Sequence, residues 1–347
     1  MRPTKINKGR LGAPKVALIG CGAIAEEIYL PALTRQRSIV KDLILVDSNP
    51  ARAKAFAAAF GIENIANDYR QVVGEVDGVI VALPTHLHHP ISMEFLSRGI
   101  HVLCEKPLAE CAEKARDMVG QAQETGAILA VNYLQRLYAS FAKVKQLIQQ
   151  KTLGEVLSIQ YLVGEEFKWP SLSGFYFNGP ISSRGILRDR GAHVIDHICW
   201  WLGGKPTLIS CENDSHGGSE ATTRLRFKHN RCVGEVRLSW LCSIRSQVVI
   251  EFEEGSIAGD VYDFGSLRMK DSSGRERHMS LDSGAKSKAA AANTLVSRFI
   301  GALTTGEQPA VSGADVLPSI EFVDECYAAA TRFDAPWYAV LGANDVS

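Results

Sequence analysis

Val16-Ala-Leu-Ile-Gly20-Cys-Gly22-Ala-Ile-Ala25 decides the fold. Four apolar residues of the fully buried kind stop abruptly at two glycines. From Ala23 to Leu33 the spacing turns helical, with Ile24, Ile28 and Leu30 on one face. A strand, a glycine turn and a helix in this order form the dinucleotide fingerprint. Gly20 permits the tight turn, Gly22 lets the backbone approach a pyrophosphate, and Ala25 allows close packing of helix on strand. Ala23 and Ile24 open the helix, where backbone amides attract an anion. Alone the fingerprint is weak, because a glycine turn can also serve the fold and nothing else.

Outward from it, further apolar runs end in polar residues. Leu43–Val46 ends in Asp47, whose carboxylate suits an adenosine ribose diol and repels a 2′-phosphate, which favours NAD over NADP. Ser48 and Arg52 would receive that phosphate if Asp47 swung away, so NADP stays open. Asp47-Ser-Asn-Pro50 equally suits a helix cap with proline in the first turn, and both roles are compatible. A helix over 51–60 is closed by Gly61, and a shorter one covers 68–73. Val79–Leu83 is a strand broken by Pro84-Thr-His86-Leu-His88-His89-Pro90. Three histidines invite a metal, but no Cys, Asp or Glu completes a set with metal spacing. A loop lined against cofactor or substrate, or a plain loop, remains. The next helix, over 91–98, leads to Val102-Leu-Cys104 and then Glu105-Lys106-Pro107. A helix over 111–123 precedes Ile128–Val131 and Asn132. Apolar runs alternating with helices predict a doubly wound parallel sheet. Gly20, Gly22, Asp47, Leu83, Pro84, His86, Glu105, Lys106 and Asn132 all fall at strand ends, where such sheets bind ligands.

The second half reads differently. A helix over 138–149 packs through Phe141, Val144 and Ile148, and Gly154 breaks it. From Val156 the period becomes two, and 221–227, 231–240 and 247–253 alternate or are strongly apolar. This predicts an antiparallel sheet with one face covered. Pairing between subunits would cover its open face, so a homodimer or homotetramer is expected. Between the first two strands, Asp189, His193 and Asp196 or His197 share a helix face. A carboxylate one turn before an imidazole can fix its tautomer and raise its basicity, as proton transfer needs. A buried His–Asp network is the alternative. Arg184, Arg188 and Arg190 suit an anionic substrate, or salt bridges at a surface. The aromatic stretch from Phe167 to Asn178, with Trp169 and Tyr176, lines a pocket or packs between domains.

Bulk properties exclude much. Lys plus Arg and Asp plus Glu number 38 each among 347 residues, so no field draws nucleic acid or an anionic membrane. Eight scattered cysteines without a CxxC pair fit reduced thiols in the cytoplasm. No apolar run approaches the roughly 18 residues of a membrane span. Residues 1–14 form a basic arm (Arg2, Lys5, Lys8, Arg10) with no apolar core, hence no secretory signal.

With Gly20–Ala25, Asp47, Glu105-Lys106-Pro107 and Asp189-xxx-His193 in order, the chain resembles the Gfo/Idh/MocA oxidoreductase family. Thr85-His-Leu-His88, Asn132 with Arg136, Gly154-Glu155 and Gly191-x-His193-x-x-Asp196 extend the likeness from Lys15 to about residue 330. The resemblance implies a Rossmann domain over 15–133 and a substrate and oligomerisation domain over 134–347, with a large, open, mostly antiparallel sheet. It implies NAD(P)-dependent hydride transfer at an alcohol or ketone of a sugar, inositol or nucleotide sugar. Lys106 would sit near the nicotinamide, with Asp189 and His193 as the acid/base pair. His88 joins the cofactor contacts, and Arg136, Trp169, Tyr176, Arg190 and His197 become candidate substrate contacts. Cys21 and Arg190 depart from the family pattern, Arg190 standing where an apolar residue is usual. A redox-assisted glycosidase and a non-catalytic dinucleotide sensor are the rival readings.

Overall fold

The computed structural model describes residues 13–36, 42–167, 185–215, 218–241, 243 and 245–333. Six parallel strands form the first sheet: β1 (Val16–Ile19), β2 (Leu43–Val46), β3 (Asn64–Ala66), β4 (Gly78–Val81), β5 (His101–Cys104) and β6 (Leu129–Val131). Their order is β3-β2-β1-β4-β5-β6, the doubly wound arrangement. Helices α1 (Leu30–Thr34), α2 (Pro50–Phe60), α3 (His88–Leu96) and α4 (Ala112–Thr125) connect them. β1 and β4 are buried along their whole length, as sandwiching between helices requires. β3 is partly exposed at the sheet edge, which is why no apolar run marks it in the sequence. The helix expected over 23–33 opens at Ala23 and passes through a π turn, Ala25–Tyr29, before α1. The short element expected over 68–73 is a 3₁₀ turn, Tyr69–Val72, capped by Asp68 with Gln71 in a capping box.

Strand register positions the site. Ile19 lies beside Val46 and Val81, Val81 beside Cys104, and Cys104 beside Val131. The residues that follow each strand, Gly20, Asp47, Glu105 and Asn132, therefore leave the sheet along one edge.

The second sheet has nine strands: β7 (Val156–Gly164), β8 (Thr207–Asn213), β9 (Thr222–His229), β10 (Cys232–Ser239), β11 (Gln247–Phe252), β12 (Gly255–Asp260), β13 (Ser266–Asp271), β14 (Glu276–Ser280) and β15 (Thr331–Arg332). The order is β14-β13-β12-β11-β7-β10-β9-β8-β15, and only β7–β10 and β8–β15 pair in parallel. α5 (Ala139–Gln149) precedes it, α6 (Gly185–Leu202) follows β7, and α7 (Lys288–Thr305) and α8 (Leu317–Ala329) come late. Inward residues such as Ile159, Tyr161, Leu225, Phe227, Val236 and Ile250 are fully buried with Ile195, Ile198 and Trp201 of α6. Each such side chain contributes about 1.5–3 kcal/mol of hydrophobic stabilisation. The opposite face carries Gln160, Val233, Arg237 and Glu251, all exposed. Near its end the chain returns to the first sheet, where the Val131 amide donates to the Val311 carbonyl and Val311, Val316 and Ile320 join the first core. No helix among the described residues is long and apolar enough to cross a membrane.

Candidate functional site

The glycine turn separates two roles. Gly20 has φ +100°, and a Cβ there would lie 2.3 Å from the Ala82 carbonyl oxygen and 2.9 Å from Leu83 Cδ2. The fold itself demands this glycine. At Gly22 a Cβ would meet nothing within 4 Å. The open space beside Gly22, at a helix N-terminus opened by Ala23 and Ile24, has the character a dinucleotide diphosphate requires. Ala25 is fully buried, as the packing reading expected. Cys21 is buried too, and burial, reinforced by Asp47, pushes its thiol up to about 12, so it packs and stays protonated.

Asp47 is pinned at the end of β2. Its Oδ2 accepts the Cys21 amide at 2.9 Å and its Oδ1 accepts the Asn49 amide at 2.8 Å. Arg52 Nε stands 3.5 Å from Oδ2, and Ser48 is exposed beside it. Asn49 caps α2, accepting from the Ala51 and Arg52 amides, with Pro50 at the first helical position. The cap thus falls to Asn49 and leaves Asp47 at the strand end. Swinging Asp47 away would break two charge-assisted bonds, at about 1.5–3 kcal/mol each.

After β4, Leu83, Pro84 and His86 are half-buried at the same edge. His88, expected among the cofactor contacts, is held by backbone carbonyls. Its ring is fully buried, with Nδ1 2.8 Å from the Pro107 carbonyl and Nε2 2.7 Å from the Leu83 carbonyl, so it braces one strand-end loop against the next. His89 faces Asp117 at 3.6 Å.

Glu105 ties two strand ends to the first helix. Oε1 accepts from Tyr29 Oη at 2.7 Å and from Asn132 Nδ2, while Oε2 accepts the Lys106 amide at 3.1 Å. Burial, then the charge of Glu105, raises the Tyr29 pKa well above 10, so the phenol stays a donor. Asn132 Oδ1 is buried without a hydrogen-bond partner. Tyr29 escaped the sequence reading, because only the tertiary fold carries the first helix to β5.

Lys106, joined to Pro107 by a cis peptide, reaches across to the second sheet's helix. Its Nζ donates to Asp189 Oδ1 at 2.6 Å and to the Asp189 carbonyl at 3.2 Å. The carboxylate expected to orient the His193 imidazole thus engages the lysine. His193 Nδ1 is buried without a partner, and its ring packs edge-on to Tyr133 at 5.7 Å. Burial, then the charge of Lys106 and lesser contributions from His197, Arg190 and Lys288, holds its pKa well below 6.5. The imidazole is neutral at neutral pH.

Several expected substrate contacts have partners within the chain. Arg136 is buried in a bidentate pair with Asp196 (2.8 and 2.7 Å) and donates to the Asp315 carbonyl at 3.1 Å. His197 is 1% exposed, bonded to Tyr161 Oη at 3.0 Å and packed among Phe141, Tyr161 and Trp201. Arg188 is buried, pairing with Asp324 at 3.1 Å and bonding the Glu110 carbonyl. Arg190 pairs with Glu165. Each of these two arginines thus has a carboxylate partner within the chain. Trp169, Tyr176 and Arg184 lie outside the described residues.

Glu220 was not foreseen. It is 2% exposed; its backbone carbonyl accepts the Ile186 amide at 2.9 Å, and its Oε1 accepts the Leu187 amide at 3.0 Å and Tyr327 Oη at 2.8 Å. It satisfies the start of α6, one turn before Asp189. No local signal reveals it, since it lies 33 residues from Leu187.

A family model described as an oxidoreductase family with an NAD-binding Rossmann fold matches residues 14–133, and a GFO/IDH/MocA C-terminal domain model matches 141–258. Levoglucosan dehydrogenase of Pseudarthrobacter phenanthrenivorans is 30% identical over 164 residues, 46% of this chain and 42% of that protein. Inositol 2-dehydrogenase of Rhizobium meliloti is 26% identical over 196 residues, 56% of this chain and 57% of that one. The chain spans about half the length of the curated relatives it matches. A crystal structure of levoglucosan dehydrogenase with NADH and levoglucosan superposes with a TM-score of 0.80 at 20% identity, covering 91% of this chain and 96% of that one. Aldose-aldose oxidoreductase from Caulobacter crescentus gives 0.79 at 19% identity over 91% and 97%.

Proposed function

The chain belongs to the Gfo/Idh/MocA oxidoreductase family, and from that premise we propose that it is an NAD(P)-dependent oxidoreductase acting on a secondary alcohol or ketone of a sugar, inositol or sugar derivative. The observation that carries this reading is the 2.6 Å pair of Lys106 and Asp189, which joins the edge of the glycine turn to the second sheet. An acid–base set and a dinucleotide turn then share one crevice. NAD supplies the hydride acceptor. Gly22, Ala23 and Ile24 hold its diphosphate, and Asp47 its adenosine ribose, with NAD preferred over NADP because Asp47 is fixed in place. Lys106, held beside Asp189, stabilises the alkoxide that forms as hydride leaves carbon. His193, neutral, receives the hydroxyl proton. Glu105, Tyr29 and Asn132 fix the backbone that carries Lys106.

Around this site we divide the chain into a nucleotide domain, 15–133, and a substrate and assembly domain, 134–347. A homodimer or homotetramer formed through the open sheet face would cover Val233 and its neighbours, and mass measurement in solution tests that. Seven described cysteines, all unbridged, support a reducing compartment. Function is tested by screening neutral sugars and inositols for NAD and NADP reduction. NADH formation with at least one of them is the expected result, and cleavage of an aryl glycoside without it would favour a glycosidase.

A further inference from the structure

Three cations bear on His193 from separate elements: Lys106 after β5, Arg190 on α6 and Lys288 at the start of α7. Each is closed by its own carboxylate. Lys106 Nζ is 2.6 Å from Asp189 Oδ1, Lys288 Nζ is 2.6 Å from Glu27 Oε1, and Arg190 pairs with Glu165. The last pair is itself anchored, since Tyr262 Oη donates to Glu165 Oε2 at 2.7 Å. His193 adds no charge at neutral pH. Among the described residues, the three cations that bear on His193 are thus each matched by a carboxylate, although the helix is rich in arginine.

We infer that the site is built for an uncharged polyhydroxyl substrate, and that Glu165 sets this specificity by occupying Arg190. The inference rests on the proposed oxidoreductase reading and narrows its substrate class. A phosphate or carboxylate on the substrate would be attracted by the arginine but must displace a carboxylate already bonded to it, so the gain from the new pair is largely cancelled by loss of the old. Hydroxyl groups need no such exchange, because they can donate to the outer lone pairs of Asp189 and Glu165 and accept from Lys106 and Arg190. Specificity of this kind is set by a charge partner, not by the count of basic residues.

The test compares the full-length protein with Glu165→Gln, each saturated with NAD. Glucose and myo-inositol are the neutral probes, with glucose 6-phosphate and glucuronate the anionic ones. Two readouts are taken, the ligand-induced rise in Tm and the reduction of NAD. Wild type should gain no more from the anionic probes than from glucose. In Glu165→Gln the anionic probes should bind about 10-fold more tightly, and high salt should erase that gain. An anionic probe that already outperforms glucose in wild type overturns the inference, and so does a Glu165→Gln protein without the gain. Reduction of NAD is scored separately: its absence with every probe removes the oxidoreductase reading, while the Tm comparison still decides the charge preference.

Discussion

At the glycine turn, each site residue follows directly from the strand before it; on α6, each owes its state to a partner far along the chain. Gly20, Asp47, Glu105 and Asn132 share an edge because Ile19, Val46, Cys104 and Val131 are in register. Asp189 pairs with a lysine 83 residues away, and Arg136 reaches Asp196 over 60 residues. Parallel-sheet geometry turns local sequence into a site, whereas a helix merely presents side chains and tertiary contacts decide what they do.

The sharpest way to break this contrast lies in the two glycines. Gly20→Ala should fail to fold, because its Cβ would fall 2.3 Å from a backbone oxygen at positive φ. Gly22→Ala, with open space around its Cβ, should keep its Tm within a degree or two and lose NAD affinity, readable by calorimetric titration. A Gly22→Ala protein with unchanged affinity would deny the diphosphate role.

Next in size, the two ion pairs of the second half should separate by burial. Asp196→Asn leaves a buried guanidinium half-paired, and a loss of about 3–5 kcal/mol in denaturant unfolding is expected. Asp189→Asn disrupts a pair whose side chains are 19% and 16% exposed, and should cost about 1 kcal/mol or less. Equal losses would mean that Asp189 is structural too.

A smaller effect is expected from pH. Burial, then the Arg136 charge, lowers the His197 pKa from 6.5 to about 3. The unfolded ring takes up its proton near 6.5 while the folded one does not, so stability declines as pH falls from 6.5 toward 3. His193 adds to this slope in the same direction. His197→Phe should flatten the Tm–pH curve over that interval, and an unchanged slope would place the sensitivity elsewhere.

Smallest of all is cofactor choice. Asp47→Ser should let NADP bind more tightly, by about 10-fold, and should lower stability through the two lost carboxylate bonds. Titration of both cofactors reads this directly.

These contrasts explain what could be read in the chain. The first sheet was legible because buried strands read as apolar runs and each run stops at a polar end. β3 was not, since an edge strand exposes Ile65 and lacks the run. The second sheet was legible in its alternation but not in its parallel β7–β10 pair, which depends on the long excursion between them. Spacing correctly put Asp189 and His193 on one helix face, but it cannot see Lys106 arriving from another domain and taking the carboxylate. Arg136, His197 and Arg188 show the same limit: polarity invites a ligand, while the fold places Asp196, Tyr161 and Asp324 beside them. Tyr29 and Glu220 carry no signature beyond their type.

The central claim is that the lysine at the edge of the first sheet and the carboxylate from the second act as one unit on a hydroxyl. Steady-state NAD reduction by Lys106→Met, Asp189→Asn and the double variant, with the best neutral sugar, tests it most directly. Each single variant should lose about 100-fold or more in kcat, and the double should lose little beyond the worse single. Undiminished turnover in Lys106→Met, or losses that simply multiply in the double variant, would contradict it.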